Sequence, residues 1–72
     1  MGLSFEIFRT SVSNHQIANA ILNELSALFP SCKILFDLED CDRILKIKGL
    51  DFSVPTIIRL VSDTGHLCQP LD

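Results

Sequence analysis

The sequence predicts an α+β fold, and three observations carry that expectation. Four short stretches alternate apolar and polar residues, two longer stretches repeat their apolar residues at three and four positions, and the stretches follow one another as strand, helix, strand, strand, helix, strand. The 72 residues make one domain over 1–72, because so short a chain buries only about 60% of its unfolded surface and cannot divide that between two cores. A composition of 47% hydrophobic and 21% charged residues is that of an ordinary globular chain, with enough apolar side chain for one core.

The first strand is expected over residues 3–10. Alternation there puts Leu3, Phe5 and Ile7 on one face, read as inward, and Ser4, Glu6, Phe8 and Thr10 on the other. Ser13 followed by Gln16 has the form of a capping box, in which a hydroxyl and an amide satisfy the free N–H groups of a helix start. From there Ile17, Ala20, Ile21, Leu25 and Leu28 form an apolar stripe opposite Asn19, Asn23 and Ser26, and Pro30 closes the pattern after about four turns. Residues 32–38 alternate again, with Ile34, Phe36 and Leu38 inward and Lys33, Leu35 and Asp37 outward. The acidic run Glu39-Asp40-Cys41-Asp42 then reads as a hairpin turn. The partner strand runs from Arg43 to Lys48, with Leu45 and Ile47 on one face and Ile44, Lys46 and Lys48 on the other, and Gly49 punctuates its end. Ser53 caps a second helix over about 54–63, with Pro55 in its first turn, Val54, Ile57, Ile58 and Val61 inward, and Gly65 placed for a left-handed C-cap. Leu67 to Leu71 completes the set as a short strand whose Pro70 belongs at a sheet edge.

Two crossover helices around a central hairpin define the split βαβ arrangement, a ferredoxin-like βαββαβ fold with both helices on one face of a four-stranded antiparallel sheet. Right-handed crossovers place the first and third strands in the middle.

Three stretches carry a family resemblance. They are Ile17 to Leu28 as the first helix, Ile34-Leu35-Phe36-Asp37-Leu38-Glu39 as the second strand, and Ile57 to His66 ending in Gly65-His66. Together they resemble the heavy-metal-associated domain, the small ferredoxin-like module of copper chaperones and metal-transporting P-type ATPases. That family holds soft metal on a Cys-x-x-Cys pair between the first strand and first helix, since two thiolates one helical turn apart suit Cu(I). Counted back from Ile17, those two positions are Ser13 and Gln16, whose hydroxyl and amide are poor ligands for a soft ion. The resemblance therefore implies the fold together with a degenerate metal motif.

Charge and targeting narrow the remaining functions. Six Lys+Arg against nine Asp+Glu give a net charge of -3, which argues against nucleic acid or an anionic membrane as partner. The start Met-Gly-Leu-Ser-Phe-Glu lacks the basic flank and apolar core of a signal peptide, and Glu6 stands where a myristoylation start needs Ser or Thr, so a cytoplasmic location is expected. No apolar run approaches about 18 residues. Cys32, Cys41 and Cys68 are odd in number and irregular in spacing, which points to free thiols; Cys32 and Cys68 read as small core residues and Cys41 as an exposed thiol among carboxylates. Glu39, Asp40 and Asp42 lack the glycine and spacing of a calcium loop. With no phosphate loop, nucleophile elbow or informative Cys/His pair, and little room for a closed pocket of about 300 Å³ beside a core, the chain reads as non-enzymatic and without a resident cofactor.

Two readings of function follow. In the first, the domain binds a protein partner or a second copy through the helix-free sheet face, where alternation places Phe8, Leu35 and Ile44 among Glu6, Lys33, Asp37 and Lys46. The alternative is a metal-ion carrier using His15 at the start of the first helix and His66 after the C-cap glycine, although His15 reads more simply as a surface histidine and His66 as a half-buried packing ring.

Overall fold

The structure, a computed structural model, describes residues 3–39 and 43–71. Strand β1 (Ser4–Thr10) leads to helix α1 (His15–Leu28), strands β2 (Lys33–Asp37) and β3 (Ile44–Gly49), helix α2 (Val54–Ser62) and strand β4 (Cys68–Pro70). All pairings are antiparallel and the strand order is β2-β3-β1-β4, so β1 and β3 are central as the crossover rule requires. This is the ferredoxin-like βαββαβ arrangement. Pro70 lies on the edge strand β4, opposite Phe8 of β1, where a missing N–H is tolerated. Among the described residues no helix is long and apolar enough to cross a membrane.

Register fixes which side chains meet. Phe8 faces Leu45 and Phe36 faces Leu45 from the other side, while Ile34 faces Ile47. Onto that layer α1 brings Ala18, Ile21 and Leu25, and α2 brings Ile57 and Val61, closing a core with Val12 and Cys68. Both helices thus cover one side of the sheet.

Two expectations change here. In β1 the inward face carries Phe8, fully buried, and Thr10, whereas Leu3 and Phe5 are exposed. The residues across from β1 explain the reversal: Leu45 and Ile47 of β3 face inward, and their partners are Phe8 and Glu6. Phe8 is therefore a core residue and not part of an outer surface. In α1 the buried stripe is Ala18, Ile21 and Leu25, with Ala20 exposed and Leu28 53% exposed, because the helix is rotated to set Leu22 and Phe29 against the sheet-side core.

The caps differ as well. The N-cap of α1 is Asn14, whose Oδ1 accepts from the N–H groups of Gln16 at 2.8 Å and Ile17 at 3.3 Å. Ser13 lies one residue outside the helix, so the Ser13/Gln16 capping box does not form. In α2 the expected cap is present, with Ser53 Oγ accepting from Thr56 N at 3.3 Å and Pro55 in the first turn. After α2, Gly65 adopts φ +86°, a left-handed conformation in which its N–H donates to Ser62 C=O at 2.9 Å.

Candidate interaction face

The helix-free side of the sheet is built by strand parity. Alternate residues of three strands align in rows across it: Lys33, Lys48 and Phe5 in the first, Leu35, Lys46 and Ile7 in the second, and Asp37, Ile44 and Arg9 in the third, extended by Gln69 of β4. Phe5 is 56% exposed and Leu35 57% exposed. An open groove of about 520 Å³ is lined by Phe5, Leu35, Lys33, Lys46 and Lys48 of this face and, where it passes the sheet edge, by Cys32, Ile34, Ile47 and Ser26 of α1.

Of the three residues expected on this face, Leu35 is there, Phe8 is in the core, and Ile44 has the right parity but is only 7% exposed. Ile44 lies in its row between Asp37 and Arg9, and the Arg9 guanidinium donates to Gln69 Oε1 of β4 at 2.8 Å. Phe5 takes the place expected for Phe8. Phe8, Thr10 and Val12 share one parity and all are buried.

The third row carries one charge of each sign, Asp37 and Arg9, whereas the charged residues of the first two rows are all lysines. Among the described residues, no side-chain partner engages the ammonium groups of Lys33, Lys46 or Lys48. Four of the six Lys+Arg of the chain thus project from this one face, against a single carboxylate among the described residues, Asp37.

The histidines and the degenerate motif occupy the opposite end of β1. Ser11 Oγ accepts the Leu67 N–H at 2.8 Å and shares a hydrogen bond with His66 Nδ1 at 3.3 Å. His66 thereby ties the α2–β4 connection to the end of β1. His15 lines a separate cleft of about 230 Å³ with Asp37 and Glu39. Ser13 is exposed and precedes the cap, and Gln16 donates its backbone N–H to that cap. Among the described residues, no group of three or more His, Cys, Asp or Glu is arranged to hold a metal ion.

Other polar groups serve the fold. Thr10, read from sequence as outward, is buried, and its hydroxyl donates to Arg43 C=O at 2.7 Å and accepts from Val12 N at 3.2 Å. The same carbonyl accepts from Thr10 N at 3.1 Å, which holds Arg43 in a left-handed conformation at φ 50° as β3 begins. Cys32 is half-buried with its Sγ 3.6 Å from Leu50 C=O, and Cys68 is a buried free thiol that burial pushes up to about 11. Cys41, Asp40 and Asp42 of the acidic turn lie outside the described residues.

The chain matches no family model, no curated protein and no solved structure.

Proposed function

We propose that the chain is a non-catalytic binding module of heavy-metal-associated type, with the cysteine metal site replaced, that works in the cytosol through its open sheet face. The observation that carries this reading is the placement of Phe5 and Leu35. Both are large apolar side chains more than half exposed on a face that neither helix covers. Neither is needed to fill the core, which closes on the other side of the sheet through Phe8, Leu45 and Ile47. Exposed apolar groups rimmed by charge are the usual composition of a protein contact surface.

Two substitutions test the reading, Phe5→Ser and Leu35→Ser, neither of which opens a cavity. A partner that co-purifies with the wild-type chain should be lost from the double variant and should rebind as a purified protein to the wild type alone. Equal binding to both chains, with both equally folded by amide NMR, refutes it.

The carrier reading through His15 and His66 has less behind it. Ser11 engages His66 Nδ1, and His15 lines a different cleft with Asp37 and Glu39. Titration of Cu(I) and Zn(II) into the reduced protein tests it, with saturable shifts at both histidines as the result that would favour it.

A further inference from the structure

We infer that the occupant of the open face is an acidic segment of a partner protein, carrying carboxylates for Lys33, Lys46 and Lys48 and an apolar side chain for the surface between Phe5 and Leu35. The inference rests on the binding-module reading of this face and adds the chemistry of the partner.

Charge placement is the first argument. Lys33 and Lys48 are directly opposite one another across β2 and β3, and Lys46 is opposite Leu35 one row away. Like charges facing each other across a ladder are destabilising, and no acid among the described residues pairs with these ammonium groups. An arrangement that disfavours the free domain becomes favourable once an anion sits over it. Among the described residues only Asp37, of all the Asp and Glu side chains, stands on this face by strand register, so the rows over the groove are cationic.

The extent of the patch selects among anionic occupants. Three lysines on two adjacent strands span one strand spacing of about 5 Å and about two residues along the strands, enough for two or three carboxylates. A polynucleotide needs a longer cationic track. Here the track ends at the third row with Asp37, and Arg9 is already bound to Gln69. A second copy docked face to face would set lysines against lysines. A short acidic segment with one apolar anchor fits both the length of the patch and its mixed lining.

The test is fluorescence anisotropy of a labelled short peptide of Glu and Leu residues against the full chain, at about 20 mM and about 300 mM salt. Saturable binding at low salt that weakens at least about tenfold at high salt is expected, because the contacts are exposed ion pairs. The double variant Lys33→Glu, Lys48→Glu should weaken it by at least about tenfold while keeping a folded spectrum, since it exchanges one exposed like-charge pair for another and touches no core contact. Absence of saturable binding at low salt overturns the inference. So does tighter binding of a labelled oligothymidylate, which would name nucleic acid as occupant, or concentration-dependent self-association abolished by the lysine variant, which would name a second copy. Peptide binding that survives the lysine variant but is lost with Phe5→Ser, Leu35→Ser also overturns the acidic chemistry and leaves the face as the binding surface. Binding indifferent to all four substitutions removes the face reading as well.

Discussion

Gly49 runs so close to Cys32 that a β-carbon added to the glycine falls 2.9 Å from both Cα and Cβ of Cys32 and overlaps its Sγ. The glycine at the end of β3 is therefore required by close approach of the β2 entry, and its backbone is not in the left-handed region. Gly49→Ala should destabilise the domain by about 1–3 kcal/mol, the range for forcing an extra carbon into a packed site. Adding Cys32→Ala should restore only part of that loss, because the Cα and Cβ contacts persist. Urea unfolding of the two variants checks both statements.

Phe5 and Phe8 differ by three positions and by their whole environment, one being 56% exposed and the other fully buried. Phe8→Ala should cost about 3–5 kcal/mol, as expected for truncating a buried aromatic side chain, enough to unfold much of a small domain's population. Phe5→Ala should change stability by well under 1 kcal/mol, within the range of about ±0.5 for surface positions. Comparable losses at the two sites would mean that the parity of β1 is wrong.

The start of α1 depends on Asn14. Asn14→Ala should destabilise by about 1 kcal/mol through loss of the acceptor for the Gln16 and Ile17 N–H groups, whereas Ser13→Ala should be close to neutral. Thermal unfolding of the pair separates a cap at 14 from a capping box at 13.

Cys68 makes stability sensitive to alkali. Burial raises its thiol from an ordinary 9.0 to about 11. Below pH 9 folded and unfolded chains both keep the proton, and this group loses nothing. Between about 9 and about 11 the unfolded chain releases its proton and the folded chain retains it, so stability falls as pH rises through that window. Cys68→Ala should lower stability at neutral pH and flatten the alkaline decline, as read from denaturant midpoints at stepped pH.

Element order, strand pairing and the second helix with its Ser53 cap were legible in the sequence, because local periodicity and turn chemistry agree there with the tertiary packing. The face of β1 was not. Leu3, Phe5 and Ile7 outnumber the apolar residues of the other parity, so counting hydrophobic residues selects the side that is in fact outward. What decides parity is the partner strand, where Leu45 and Ile47 must face the helices, and that is a pairing across more than thirty residues of chain. The same long-range dependence hid the lysine patch. Lys33, Lys46 and Lys48 are unremarkable along the chain, and only the β2–β3 register brings them together.

The distribution of charge also gives the domain a direction. Arg9, Lys33, Lys46 and Lys48 project from the sheet, while Glu24 on α1, Asp63 at the end of α2 and the single cation Arg59 of α2 are exposed on the helical side. Among the described residues the open sheet is therefore the positive pole of the charge distribution. In the field of an acidic surface such a body rotates before it collides, helices trailing, and encounter is biased toward the one orientation that can proceed to contact. Alignment of this kind acts on the rate of arrival rather than on the lifetime of the complex, and it fades as the Debye length shrinks below the width of the domain.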